Sequence, residues 1–427
     1  MGRSLLGGGG FYGWIVLATT ALVFFMGAGS LMSFGVFLPS ICEEFGWSRG
    51  LVSGAYMAAF AVAGLCSPLV GWFVRKFGAS RAIISGGFLG SLGVLLLSFQ
   101  SHLWQFYLAY GLLIGLGVGL GGFIPTTTLA TDWFQRRRSL ALGILIASGG
   151  LGGLVLIPGL MALIDVVQWR ATYLIMAAGG LVFMVVIPGL VLRNKPEDLG
   201  QVPDGGPSSV AAEAIEKTHH IPAEFTVGEA IRTKTFWLLT AFGLAHMFAL
   251  TMIVSHEVAF LVDMGIGAAA AAATFSLVPG LMTVGKLSAG FLGLRFSIRG
   301  VAFGATVLTA AATTAISMAN TLPIVVAANI LFGIGTGAAW VAVTTLYPAY
   351  FGRNDYPRTI GTALPFWKIL GGLAAPFAGV FHDVTGSYTV PFTVAIILLA
   401  GALACISMAV PPSRAQSRFE PGCQAAL

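Results

Sequence analysis

Residues 133–163, WFQRRRSLALGILIASGGLGGLVLIPGLMAL, set three consecutive arginines directly before a long run that carries no charge. From Ser139 to Leu163 the run has 25 residues, a helix of about 37 Å at roughly 1.5 Å per residue. That length exceeds the roughly 30 Å of bilayer hydrocarbon. Backbone amides find no water at that depth, so an uninterrupted helix is the expected form. The pattern recurs along the chain. Apolar runs centred on 14–38, 51–74, 82–100, 104–130, 139–163 and 171–192 precede a polar stretch. Others near 236–262, 267–293, 300–319, 321–348, 360–381 and 388–411 follow it. The expected fold is an all-α integral membrane protein, with twelve transmembrane helices in two pseudo-symmetric six-helix bundles. Pro158, Pro279 and Pro365 lie inside runs and are expected to kink helices rather than end them.

Composition excludes the soluble alternatives. Only 9% of the 427 residues are charged, against about 25% in soluble domains, while 57% are hydrophobic. The mean hydropathy is +0.90. A net charge of +6 suits basic loops beside anionic lipid and calls for no nucleic-acid partner. Cys42, Cys66, Cys405 and Cys423 are scattered, without metal-site spacing or a disulfide framework. No nucleotide-binding fingerprint accompanies the glycines, so Gly143, Gly149, Gly150, Gly152 and Gly153 are expected to allow close helix approach. An enzyme, a cofactor and a bound metal are all unexpected. After Met1, Gly2 and Arg3 the chain stays uncharged as far as Cys42, which predicts a retained first membrane helix rather than a cleaved signal.

Loop charge orients the spans. Arg75, Lys76 and Arg81, then Arg136, Arg137 and Arg138, then Arg295, Arg299, Arg353 and Arg358 fall on one side, ten basic residues in all. The opposite loops carry Arg49 and Arg170. Basic loops remain cytoplasmic, so both termini are expected there, and the compact loops suit a bacterial inner membrane. The expected organisation is 1–192 as a first bundle, 193–235 as a cytoplasmic linker, 236–411 as a second bundle and 412–427 as a cytoplasmic tail. Within the linker, Pro, Gly and Ser around 200–209 predict flexibility, and 223–234 predicts a short surface helix.

The turn Gly71-Trp72-Phe73-Val74-Arg75-Lys76-Phe77-Gly78 is echoed by Gly290 through Leu294 and Arg295 in the second half. The first copy resembles the G-x-x-x-D-R-x-G turn of the major facilitator superfamily, although Arg75 stands at the Asp position and Leu294 supplies no acid in the second copy. Further stretches resemble the branch containing monocarboxylate transporters and oxalate/formate antiporters. These are Phe11-Tyr12-Gly13-Trp14, Phe45-Gly46-Trp47-Ser48-Arg49, residues 133–143, Trp169-Arg170 and Asp383-Val384-Thr385-Gly386-Ser387-Tyr388. The resemblance implies two halves that alternate access to a central site. The same aromatic and basic residues also serve as interface anchors and topology signals.

Charges inside the apolar runs point to the cargo. Lys286 lies nine residues before Arg295 and Lys368 ten after Arg358, about 14 and 15 Å along a helix. Both therefore reach the middle of the hydrocarbon, where an ammonium is costly without water, a counterion or a substrate. No comparably central acid answers them, which favours an anionic solute. By resemblance, Lys286 falls on the eighth-span substrate cation and Lys368 on the eleventh-span lysine of oxalate/formate antiporters, while Met282 stands where animal monocarboxylate transporters have Asp. In span seven, His256 lies seven residues before Asp263, about 10 Å from the helix end, and Glu257 points about 100° away from it. Both are proton-coupling candidates, and His256 is also a substrate-binding candidate; His246 is a weaker polar signal. Tyr110, Thr126, Thr127, Trp340, Phe366 and Trp367 are expected to shape a pocket.

These readings predict secondary transport of a short organic monocarboxylate such as lactate or pyruvate, coupled to a proton. The expected partners are the carboxylate, a proton or exchange anion, and membrane lipid, with a monomer sufficient. Oxalate/formate-like exchange and a transporter-like sensor without net flux are the alternatives.

Overall fold

A computed structural model of the chain describes residues 11–47, 49–205 and 224–412. The expectations for Met1 to Arg3, Ser48, Cys423, the middle of the linker and the tail beyond Pro412 lie outside these residues. Ten helices among the described residues are long and apolar enough to cross a membrane, and one bent pair supplies an eleventh. In chain order they are α1 (Gly13–Leu38), the bent pair α2 (Gly54–Leu65 and Ser67–Phe77, 52° apart), α3 (Ala79–Leu97), α4 (Leu103–Trp133) and α5 (Arg138–Val191). After the linker come α6 (Lys234–Asp263), α7 (Ala273–Leu292), α8 (Ile298–Ser317), α9 (Leu322–Phe351), α10 (Tyr356–His382) and α11 (Thr389–Met408).

The expected twelve segments thus meet ten helices and one bent pair. The difference lies in α5, whose 54 residues contain 139–163 and all of 171–192 but its last residue. A straight helix of that length would run about 80 Å, more than twice the hydrocarbon thickness. It breaks at Gln168, where φ is 65° and ψ 164°. Beyond the break, Trp169 and Arg170 turn to Glu44. The indole Nε1 donates to Glu44 Oε2 at 2.8 Å, and the guanidinium to Oε1 at 2.6 Å. Arg170 holds the Glu44 carboxyl below its ordinary range.

Within the first half α1 lies along α5 and α3 along α4; in the second, α9 packs on α7 and α8, and α6 on α11. Across the halves α5 meets α7 and α2 meets α10. Lipid tails are as apolar as side chains, so these seams depend on close approach and hydrogen bonds. At the α5–α7 seam a Cβ on Gly143 would lie 2.9 Å from the Lys286 carbonyl oxygen and 3.0 Å from Gly290 Cα. Ser139 Oγ donates to the Gly290 carbonyl at 3.1 Å. The close approach expected of Gly143 is therefore what the fold uses.

The described ends of the linker meet the basic connections of the helices. Asp204 accepts the backbone N–H groups of Gln135, Arg136 and Arg137 at 2.9, 2.6 and 3.2 Å. Arg353 donates to the Asp132 carbonyl at 3.1 Å and to Glu197 at 2.7 Å. Burial alone would raise the Glu197 carboxyl, but Arg353 draws it below its usual range. Arg75, at the position where the family pattern has an acid, pairs with Asp355 of the other half at 3.5 Å. This ion pair latches the turn to the other half, with the base on the turn and the acid opposite it. The helix expected over 223–234 is shorter, the single turn Val227–Ala230 capped by Thr226, because Thr233 already caps the start of α6.

Candidate functional site

Two cavities lie among the helices. The first, of about 230 Å³, is walled by α1, α3, α4 and α5 of the first half. Ser30, Ser33, Ser91, Tyr110 and Tyr173 are among its lining residues, and among the described residues the second half contributes Lys368 alone. Lys368 sits on a π-helical turn, Phe366–Leu370, and Tyr110 on another, Tyr107–Ile114. Such wide turns rotate side chains away from the regular helical register and recur at functional sites. The lysine stem passes the backbone of Gly64, where a Cβ would lie 3.7 Å from Lys368 Cδ. Ser91 Oγ and the Tyr173 hydroxyl are buried and have no hydrogen-bond partner among the described residues. Lys368, which forms no ion pair among the described residues, is the one charged residue on this lining.

The second cavity, about 140 Å³, belongs to the second half and is lined by His246, Met247, Leu250, Met282, Lys286, Thr336 and Trp340. Lys286 forms no ion pair among the described residues, and Thr336 Oγ1 is buried without a partner. His246 Nδ1 lies 3.0 Å from the Phe242 carbonyl oxygen, and its Nε2 3.4 Å from Thr306 Oγ1. No Asp or Glu lines either cavity among the described residues. Phe123 on the first cavity and Trp340 on the second have ring centroids 5.7 Å apart, an aromatic wall between the two.

The two lysines, expected in one passage, therefore reach neighbouring cavities. Tyr110 joins Lys368, and Trp340 joins Lys286. Other expected residues are not brought to either cavity. Phe366 packs edge-on against Trp237 at 5.4 Å, and Trp367 is fully buried, its Nε1 donating to the Thr240 carbonyl at 2.9 Å. Thr126 and Thr127 return their hydroxyls to carbonyls of their own helix. His256 lies between α10 and Tyr388, with Nε2 2.8 Å from the Ala375 carbonyl oxygen and Nδ1 3.4 Å from the phenol oxygen. Glu257 is buried against Asn329. Sequence reasoning missed Ser91, Tyr173, Thr336 and Asn329. The last carried a usable signal, as the sole amide side chain within the apolar run 321–348.

The family model described as Major Facilitator Superfamily matches residues 20–296. This chain belongs to the major facilitator superfamily. Within the superfamily the chain is related to monocarboxylate transporters. It is 31% identical to monocarboxylate transporter 13 of Bos taurus over 408 residues, covering 93% of this chain and 90% of the relative. It is 25% identical to monocarboxylate transporter 11 of Homo sapiens, covering 92% of this chain and 81% of that one. The solved structure of the E. coli fucose:proton symporter shares the fold at a TM-score of 0.73 and 16% identity, covering 94% of this chain and 100% of that one. This superfamily member is an integral-membrane secondary transporter of a small organic solute, and not an enzyme.

Proposed function

We propose that the protein carries a short organic monocarboxylate such as lactate or pyruvate together with a proton, by alternating access of two six-helix halves. The observation that carries this reading is a half-buried lysine on each of two cavities, with no ion pair to either lysine and no acid on either lining among the described residues. A carboxylate supplies the charge each amine lacks, in a low-dielectric setting where that pairing is strong. At about 140 and 230 Å³ the cavities fall below the roughly 300–1,000 Å³ typical of drug-sized ligands, which suits a small acid. The monocarboxylate transporters among the relatives support the same class of cargo.

In this reading α5 counts as two spans divided at Gln168, which brings the total to twelve. The halves are 1–192 and 236–411, joined by 193–235, with both termini cytoplasmic in a bacterial inner membrane. The linker face is then the cytoplasmic face, and its seams are closed. One chain holds both cavities, so a monomer suffices.

The test is flux by purified protein in proteoliposomes. An inward proton gradient is expected to drive lactate accumulation without an internal anion. Lys286→Ala is expected to weaken lactate affinity by roughly 10- to 100-fold, the equivalent of losing one hydrogen bond to a charged group. Unchanged affinity in Lys286→Ala would remove the central site. Exchange of the oxalate/formate type is the second reading, favoured by the separate amine of Lys368. Obligatory stimulation by an internal carboxylate would replace symport with that reading.

A further inference from the structure

Glu257 of α6 and Asn329 of α9 are 1% and 0% exposed, and they face each other 72 residues apart in the chain. Asn329 Nδ2 donates to Glu257 Oε1 and reaches the Thr274 carbonyl of α7 at 3.4 Å. Glu257 Oε2 and Asn329 Oδ1 are left buried and unpartnered among the described residues. If the acid is ionised, both of these atoms are acceptors and nothing between them donates. One proton on Oε2 completes the set. That proton turns one of the two unpartnered acceptors into a donor, and the facing amide oxygen is the unpartnered acceptor available to it.

The surroundings offer no other compensation. Among the described residues no Lys or Arg pairs with Glu257. On α6 itself, neighbouring His256 turns to Ala375 of α10 and to Tyr388 at the start of α11. Asp263 of α6 pairs with His382 of α10 at 3.2 Å, six residues further along α6. Lys368 of α10 faces the first cavity. An ionised carboxylate in this enclosure is costly, and a partly satisfied buried pair is costlier than a fully satisfied one.

The position ties this pair to the cargo. α6, α7 and α9 are the three helices that line the Lys286 cavity. Glu257 lies seven residues beyond Leu250, Asn329 seven before Thr336 and Thr274 eight before Met282, each about 10–12 Å from the cavity wall along its own helix. All three offsets lead away from the linker face. We propose that the Glu257–Asn329 pair is the proton-binding site of this transporter, taking up one proton as a neutral acid–amide pair that clamps α6 to α9 and releasing it when those helices part. This rests on the proton-coupled reading above and assigns its proton to a site separate from the substrate cavities.

The test has two arms. In the first, infrared difference spectroscopy of purified protein without substrate is expected to show a protonated-carboxyl carbonyl band that shifts in D₂O and is absent from Glu257→Gln. Identical spectra for the two proteins overturn the assignment. In the second, Glu257→Gln is expected to lose gradient-driven lactate accumulation, at least tenfold, while lactate exchange persists and reports an intact fold. Accumulation equal to the unaltered protein, or driven by sodium in place of protons, overturns it. If Glu257→Gln fails to fold, Glu257→Asp is read in its place. A shifted pH profile of accumulation supports the site and an unshifted one overturns it. If the unaltered protein moves no lactate, the carboxylate reading fails by itself and the infrared arm still decides whether Glu257 holds the proton.

Discussion

Single side chains show how membrane burial separates two kinds of charge. Lys286 and Lys368 line cavities and form no ion pair among the described residues, whereas Arg170 directs its charge to Glu44 and to the carbonyls of Ser98 and Gln100. The Glu44 carboxyl is lowered from 4.5, first by the Arg170 hydrogen bond, so it contributes stability that is fully present above the ordinary Glu range and lost as pH falls through the lowered value. Thermal unfolding of detergent-solubilised protein is expected to show this loss on acidification, and Glu44→Gln to flatten it. The partners' side chains are 41% and 38% exposed, so the effect stays below about 1 kcal/mol. The lysines were legible in sequence because a charge inside an apolar run is conspicuous. Ser91 and Tyr173 were not, since hydroxyls are common in packed membrane helices and only the cavity distinguishes theirs.

Among elements, α5 shows what length alone implies and where it stops. Its 54 residues demand a break, and the gap between the runs 139–163 and 171–192 places it in sequence without naming the residue. The helix continues through Pro158 and breaks at Gln168, because Trp169 and Arg170 are held by Glu44 beyond it. With φ 65° and ψ 164°, Gln168 occupies a region that suits glycine almost exclusively. Gln168→Gly is expected to stabilise the protein by about 1 kcal/mol, read as a raised melting temperature, and Gln168→Val to lower it. A melting temperature unchanged in both variants would deny strain at that corner. The π-helical turns under Tyr110 and Lys368 carried no warning either. They depend on which neighbours a side chain must clear, and local composition says nothing of that.

At the scale of the molecule, the halves are held together on the linker face by few polar groups. Asp355 is the centre of them, meeting Arg75 at 3.5 Å, Arg358 at 3.7 Å and the Val227 N–H at 2.6 Å. Asp355→Asn keeps an acceptor for Val227 and removes the charge. It is expected to shift the population toward opening of this face by about fivefold, the equivalent of about 1 kcal/mol. A cysteine placed at Leu140, beside Gly290, in a background without the native cysteines, would then react faster with an impermeant thiol reagent. An unchanged rate would show that the glycine seams hold the face shut without the latch.

The amino-acid sequence by itself determined where the long apolar runs lie, which connections are basic and that Lys286 and Lys368 interrupt two of those runs. Those properties belong to one segment at a time, and the bilayer imposes them through length and the need to satisfy every backbone amide. Only the tertiary structure decided that Lys286 and Lys368 face different cavities, that Arg75 meets an acid from the other half, and that Glu257 finds Asn329. Helix rotation and partner choice in lipid follow from close packing and a few hydrogen bonds, with no general hydrophobic drive to announce them in the pattern of residues.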